Sequence, residues 1–312
     1  MATIFVQRKT LPEVWEESVI RTWKEGDEFK TEYDQPGNPP SRDTTAILNV
    51  LHPFQEPRIH RAFPGGLDDL EKYRQEVIYG VHNHWIPNKA YETVTEIGKK
   101  KRHNIPLTEE EKALEKNPDF QKWSYTYHQR IFGYETPDGT ITNQLEEAIE
   151  KLVEAPHTRR AVCSLLKPWG DIFHHDPPCL NLLQFRVWNE NELRLNIAIR
   201  SNDAFKAAFM NMWAFTGLQK YVAERLSERL EREIIPGEYT HHAFSYHIYG
   251  SYFDEFKGFL STLEKRTFEQ RVWNSTDELP QQLFAEARKS LIEETKMPAE
   301  QIARLKKQIS KK

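Results

Sequence analysis

Between residues 67 and 84 the run LDDLEKYRQEVIYGVHNH sets Leu67, Leu70, Tyr73, Val77 and Ile78 three and four apart, the interval that gathers side chains on one helix face. TNQLEEAIEKLVEA at 142–155 repeats the pattern and predicts a second amphipathic helix. Three short segments read differently. RAVCSLL (160–166), NLLQFRVW (181–188) and ELRLNIAIR (192–200) are compact apolar or alternating runs, as strands are, and the last two flank the turn NENE, which predicts neighbouring strands. FKAAFMNMWAFTGLQKYVAERLSERL (205–230) is apolar in its first half and charged in its second, a helix buried at one end and exposed at the other. Beyond Gln270 the chain turns polar and helical, and EQIARLKKQISKK predicts a surface helix with a solvated basic tail.

Turn-forming residues cluster in DQPGNPPSRDTT and AFPGG, and KKKRHNIPLTEEEKALEKNPD (99–119) is a polar insert whose short helix is capped by Thr108 with Glu111 three residues on. No internal repeat breaks the chain. The expected organisation is one main domain over 1–270, carrying the insert, and a helical extension over 271–312. With 38% apolar and 29% charged residues in 312, one substantial core and a well-solvated surface are affordable together. A net charge of −4 gives no reason to expect nucleic acid as a partner. Two cysteines, Cys163 and Cys179, make neither a disulfide framework nor a zinc cage, and no run of about 18 apolar residues suggests a membrane span. A cytoplasmic protein is the expectation.

The densest chemistry lies between residues 156 and 252. PPCLNLLQF holds Cys179, RSNDAFKAAFMN holds Arg200, Ser201, Asp203 and Asn211, PHTRRAVCSLL holds Arg159 and Arg160, and FSYHIYGSY holds His247 and Tyr249. A thiolate is a strong nucleophile, and neighbouring guanidinium groups both lower its pKa and clamp phosphate oxygens in pairs. Asn211 offers a donor and an acceptor to a pyrimidine edge, while His247 and Tyr249, two apart, share one side of a strand. Each residue also has a plainer reading: a buried cysteine, a solvated arginine pair, an aromatic strand. Cys163, in the middle of a strand run, takes the plain one. HHDPPC could suggest a metal through His174, His175 and Asp176, but adjacent histidines in an extended segment point apart, and no metal is expected.

In combination these motifs resemble the thymidylate synthase and pyrimidine hydroxymethylase superfamily, closely from about Arg159 to Phe256 and more loosely back to Arg42. The resemblance implies an α+β fold, a mixed β-sheet packed with helices, with two sheets stacked face to face in a homodimer. It implies one-carbon transfer from 5,10-methylenetetrahydrofolate to carbon 5 of a pyrimidine nucleotide, dUMP by virtue of Asn211, through addition of the Cys179 thiolate to carbon 6. Arg42 and Arg200 would bind phosphate from one subunit, Arg159 and Arg160 from the other. Ser201 would stand beside Arg200 in the phosphate cluster, His247 and Tyr249 would bind the deoxyribose, and Gln184 and Asp203 would orient nucleotide and folate. Glu76 would serve as general acid and base, and Tyr125, with Tyr127 as the alternative, would help remove the carbon 5 proton.

The chain also departs from that pattern. Asp176 stands three before Cys179, where methylating members carry an aliphatic residue, and an acid there could hold water near the exocyclic methylene. SRDTT lacks the glycines usual around Arg42, PPCL replaces PPCH, KAAFMN replaces a stretch with glycine and proline, and ISKK lacks the apolar ending that closes over folate. These departures lean toward water attack and a deoxyuridylate hydroxymethylase. The alternatives are a divergent thymidylate synthase making dTMP and a catalytically silent nucleotide-binding dimer.

Overall fold

The computed structural model describes residues 1–312 apart from 35, 118–119, 121–123, 295 and 311–312. The first half runs β1 (Thr3–Arg8), α1 (Leu11–Glu25), β2 (Asp27–Phe29), β3 (Ser41–Val50), β4 (Ile59–His60), α2 (Leu67–Tyr79), α3 (Ala90–Arg102), α4 (Glu109–Glu115), α5 (Tyr127–Phe132), β5 (Tyr134–Glu135), β6 (Ile141–Thr142) and α6 (Gln144–Glu154). Then follow β7 (Val162–Ser164), α7 (Pro168–Asp171), β8 (Leu180–Trp188), β9 (Glu192–Ile199), β10 (Asn202–Asp203), α8 (Ala208–Leu230), β11 (Ile235–Ile248), α9 (Phe253–Lys265), β12 (Val272–Trp273), α10 (Glu278–Ile292) and α11 (Ala299–Ser310).

The main sheet is mixed, in the order β1-β3-β11-β9-β8-β7, with β2 paired to β3 and β10 to β11. β8 and β9 are the neighbouring antiparallel strands that their alternation predicts, with Trp188 opposite Glu192. The chain reverses through Asn189 and Glu190, both at positive φ, a conformation that asparagine tolerates better than most residues. Along β9 every second side chain is buried, so Leu193, Leu195, Ile197 and Ile199 enter the core, while Arg194, Asn196 and Ala198 take the other face. That second face also carries the exposed Phe5, Leu182, Trp188 and Phe244.

Helices cover the first face. Trp15 of α1 anchors it, fully buried, edge-on to Phe209 and Phe259 and donating its indole N–H to the Ala204 carbonyl at 2.9 Å. α8 buries Phe209, Met212, Phe215 and Leu218 in its first half, as its apolar start predicts. It begins at Ala208 rather than Phe205, because the Asp203 carboxylate accepts the N–H groups of Phe205 and Lys206 and holds them in a turn. α2 ends where Gly80 takes a left-handed conformation at φ 65°.

In the polar insert α4 is capped by Thr108 and Glu111, each accepting the other's backbone N–H. Lys99–Arg102 form the last turn of α3, and residues 118 and 119 lie outside the described residues. The extension beyond Gln270 is packed against α2 rather than merely solvated. Leu305 of α11 is fully buried with Val81, Leu291 and Met297. Arg304 donates to Gln75 and lies 3.9 Å over the Tyr79 ring, and Arg288 of α10 pairs with the buried Glu71 at 2.9 Å. An alternating charged pattern hides this, since long side chains bury their stems and bond through their heads.

Candidate active site

β8 begins one residue after Cys179, and opposite it β9 ends at Ile199, so the pairing Leu180 to Ile199 sets Cys179 beside Arg200. The backbone N–H of Arg200 donates to the Cys179 carbonyl at 2.8 Å. The first turn of α8 and the end of β11 complete a cavity of about 380 Å³ at this corner. Cys179, Ser201, Asp203, Asn211, His247 and Tyr249, scattered over 71 positions, line it together with Tyr73, Tyr127, Lys206 and Met210. The volume lies within the range of small-molecule sites.

Burial raises the Cys179 thiol above its ordinary pKa; the nearby Arg200 charge pulls it down and Asp176 pushes it up again. The sequence suggests a thiolate stabilised by several arginines, and the structure supplies one partly neutralised guanidinium. Arg200 donates to Asp176 Oδ1 at 2.9 Å and to the Pro177 and Pro178 carbonyls at 2.6 and 3.3 Å. Its fork is turned onto the loop before Cys179. A phosphate would have to compete with the exposed Asp176 carboxylate for it.

Polar groups in the cavity are fixed from behind. His247 sits opposite Asp43 in the β11 and β3 register. Ser245 Oγ donates to Asp43 Oδ2 at 2.7 Å and lies 3.1 Å from His247 Nδ1, so its single proton goes to the carboxylate and His247 Nδ1–H donates to it. Nε2 is then a bare acceptor, buried without a partner among the described residues, and burial holds the ring neutral with a pKa lowered to about 4. Tyr249 meets the ring edge-on at 4.6 Å. Asn211 is buried, and its Oδ1 accepts from the Tyr73 hydroxyl at 2.8 Å. Burial outweighs two backbone N–H donors at Asp203 and raises its pKa to about 6. The Tyr127 hydroxyl accepts the Leu180 N–H at 3.3 Å, next to the cysteine.

Other candidates lie outside this cavity. Glu76 is bound to His82 Nδ1 at 2.6 Å, and from the same helix it is Tyr73 that lines the cysteine's cavity. Tyr125 and Asp176 line another cavity, of about 650 Å³, with Ile97 and Phe173. Arg42 pairs with Glu28 at 3.2 Å and donates to the Gly26 carbonyl. Arg159 and Arg160 are exposed, and Gln184, on the half-open face of β8, donates to the Arg159 carbonyl at 3.1 Å. His174 is buried on the Thr95 hydroxyl at 2.9 Å, whereas His175 is exposed beside Tyr33. Cys163 is fully buried, with its thiol pushed up to about 12 by burial. Sequence reasoning missed Asp43 and Ser245 as supports and Tyr73 as a lining residue. A tyrosine on the core-facing stripe of α2 was the available signal, since a buried phenol needs a partner.

The family model described as "Thymidylate synthase" matches residues 10–297. A protein of Methanocaldococcus jannaschii is 27% identical over 252 residues, 78% of this chain and 90% of its own length. One of Methanopyrus kandleri is 32% identical over 133 residues, 43% of this chain and 58% of the relative. One of Methanosarcina mazei is 32% identical over 143, 46% and 61% respectively. Each of the three is named "Putative thymidylate synthase".

Proposed function

This chain belongs to the thymidylate synthase family, and on that premise we propose that it transfers a one-carbon unit to carbon 5 of dUMP with Cys179 as nucleophile. The observation that carries the reading is the convergence of Cys179, Ser201, Asp203, Asn211, His247 and Tyr249 on one cavity. Addition of Sγ to carbon 6 places negative charge on the carbon 4 oxygen, which the Asn211 amide N–H can stabilise. The Tyr127 hydroxyl, held beside the cysteine, is positioned to move the proton at carbon 5. His247 Nε2 and the Tyr249 hydroxyl meet the sugar, the first as acceptor from a 3′-hydroxyl. For the phosphate, Ser201 and Arg200 act from this chain once Asp176 gives way.

Arg159 and Arg160 do not line the cavity, which suits their reaching a second copy's site. The half-open sheet face with Phe5, Leu182, Trp188 and Phe244 is the surface for that pairing. Asp203, titrating near neutrality, can donate to or accept from a pterin ring, and Met210 gives that ring an apolar wall. These residues fit a reduced folate. When bound, 5,10-methylenetetrahydrofolate supplies the one-carbon unit at the formaldehyde oxidation level.

We favour hydroxymethylation because α10 and α11 pack on α2 and none of their residues lines the cavity, which leaves water a route to it. Methylation is the second reading, supported by the Asp176 contact with Arg200, which draws that carboxylate away from a water-holding role. Mass spectrometry of dUMP incubated with methylenetetrahydrofolate separates them. A hydroxymethyl gain with tetrahydrofolate released supports the first, and a methyl gain with dihydrofolate released supports the second. Binding with no product would leave only the silent dimer. In every case no helix among the described residues is long and apolar enough to cross a membrane.

A further inference from the structure

The geometry points to Tyr73 as the residue that decides which pyrimidine edge Asn211 can read, an inference that rests on the nucleotide reading above. Tyr73 projects from α2 into the cavity that holds Cys179, and its hydroxyl donates to Asn211 Oδ1 at 2.8 Å. Neither side chain makes a second hydrogen bond among the described residues. The phenol is neutral, since burial raises its pKa well above the ordinary value, so it has one proton to place. Asn211 itself is buried at the start of α8, with its backbone N–H held by the Ala207 carbonyl.

An amide fixed in this way presents a defined pattern. Oδ1 keeps one lone pair after accepting from Tyr73, and both hydrogens of Nδ2 stay free for a ligand. The uracil edge offers N3–H as donor and O4 as acceptor, which meets Oδ1 and Nδ2 in that order. Cytosine offers the reverse, N3 as acceptor and the carbon 4 amino group as donor, so Asn211 would have to turn over. Its NH₂ would then face the Tyr73 hydroxyl, whose proton would lose its acceptor. A buried donor left without a partner changes an equilibrium by on the order of tenfold. Tyr73 thus acts through Asn211 as a positioning residue, and its hydroxyl carries base selectivity.

The test is Tyr73→Phe, which removes one oxygen and keeps the ring, with dUMP and dCMP titrated calorimetrically into wild type and variant in the absence of folate. Tyr73→Leu is a second carrier of the same loss should the first prove unstable in a thermal melt. The expected result is a ratio of dCMP to dUMP dissociation constants that falls by about tenfold, as the penalty on dCMP disappears while dUMP changes little. An unchanged ratio, whether both nucleotides weaken equally or neither changes, would assign Tyr73 to packing alone and overturn the inference. If wild type binds neither nucleotide, the nucleotide reading fails and this inference falls with it, an outcome distinct from a wild type that prefers dUMP beside a variant that prefers it equally.

Discussion

Replacing Asp171 by asparagine should destabilise the protein by about 3–5 kcal/mol, because it strips the countercharge from a buried cation. Arg130 and Asp171 pair at 2.8 Å with side chains 2% and 3% exposed. The same carboxylate accepts a second Arg130 N–H at 3.4 Å and the Lys167 backbone N–H at 2.6 Å. Lys167 is itself buried, and burial lowers its pKa, so two cations share this pocket beneath the Tyr91 ring. Asparagine keeps the shape and an acceptor but removes the charge. The Arg130 guanidinium then stays in a site that water cannot reach, without its countercharge. At roughly 2 °C per kcal/mol for a chain of this size, the melting temperature should fall by roughly 6–10 °C. The assay is urea unfolding followed by far-ultraviolet circular dichroism, with the double replacement Arg130→Met and Asp171→Leu as control. The single variant should lose stability and the double should regain part of it, since the buried guanidinium is gone and only Lys167 is left without the carboxylate. A single variant within 1 kcal/mol of wild type would refute the reasoning, and so would a double variant no better than the single.

Two further predictions bear on the chemistry. Asp176→Asn should speed iodoacetamide alkylation of Cys179 about three- to tenfold near neutral pH, because the carboxylate raises the thiol pKa and its loss lowers it, so thiolate becomes more abundant at any pH below the pKa. A slower reaction, or an unchanged pH profile by intact-mass spectrometry, would show that burial alone sets this thiol. Cys179→Ser should cut turnover more than about a thousandfold while dUMP binding survives, since only the covalent step needs the thiolate. Retained turnover would reassign the nucleophile.

Much of the framework was legible because it depends on short-range periodicity. The alternation in β8 and β9, the apolar first half of α8 and the cap at Thr108 follow from side-chain direction and local hydrogen bonding. The pairing order of the sheet was not, since β11 runs parallel to β9 and antiparallel to β3, and no local pattern encodes which strand lies beside which. The C-terminal helix shows the same limit: Arg304 and Gln308 are polar in sequence and still bond across to α2.

The cysteine, the Asn211 motif and the His-x-Tyr pair were legible only in combination, through the family resemblance that the set of motifs carries. Their protonation and hydrogen bonding are set by charge and burial, which are properties of the folded environment. Only the tertiary structure set Asp176 on Arg200, raised the Cys179 thiol, lowered His247 to about 4 through burial and put Tyr73 rather than Glu76 in the cysteine's cavity. The sequence alone determined which groups could react and which segments would be helix or strand. The fold decided which of those groups meet, because a pKa and a hydrogen bond depend on distances of a few ångströms between residues up to some two hundred positions apart, as between Asp43 and Ser245.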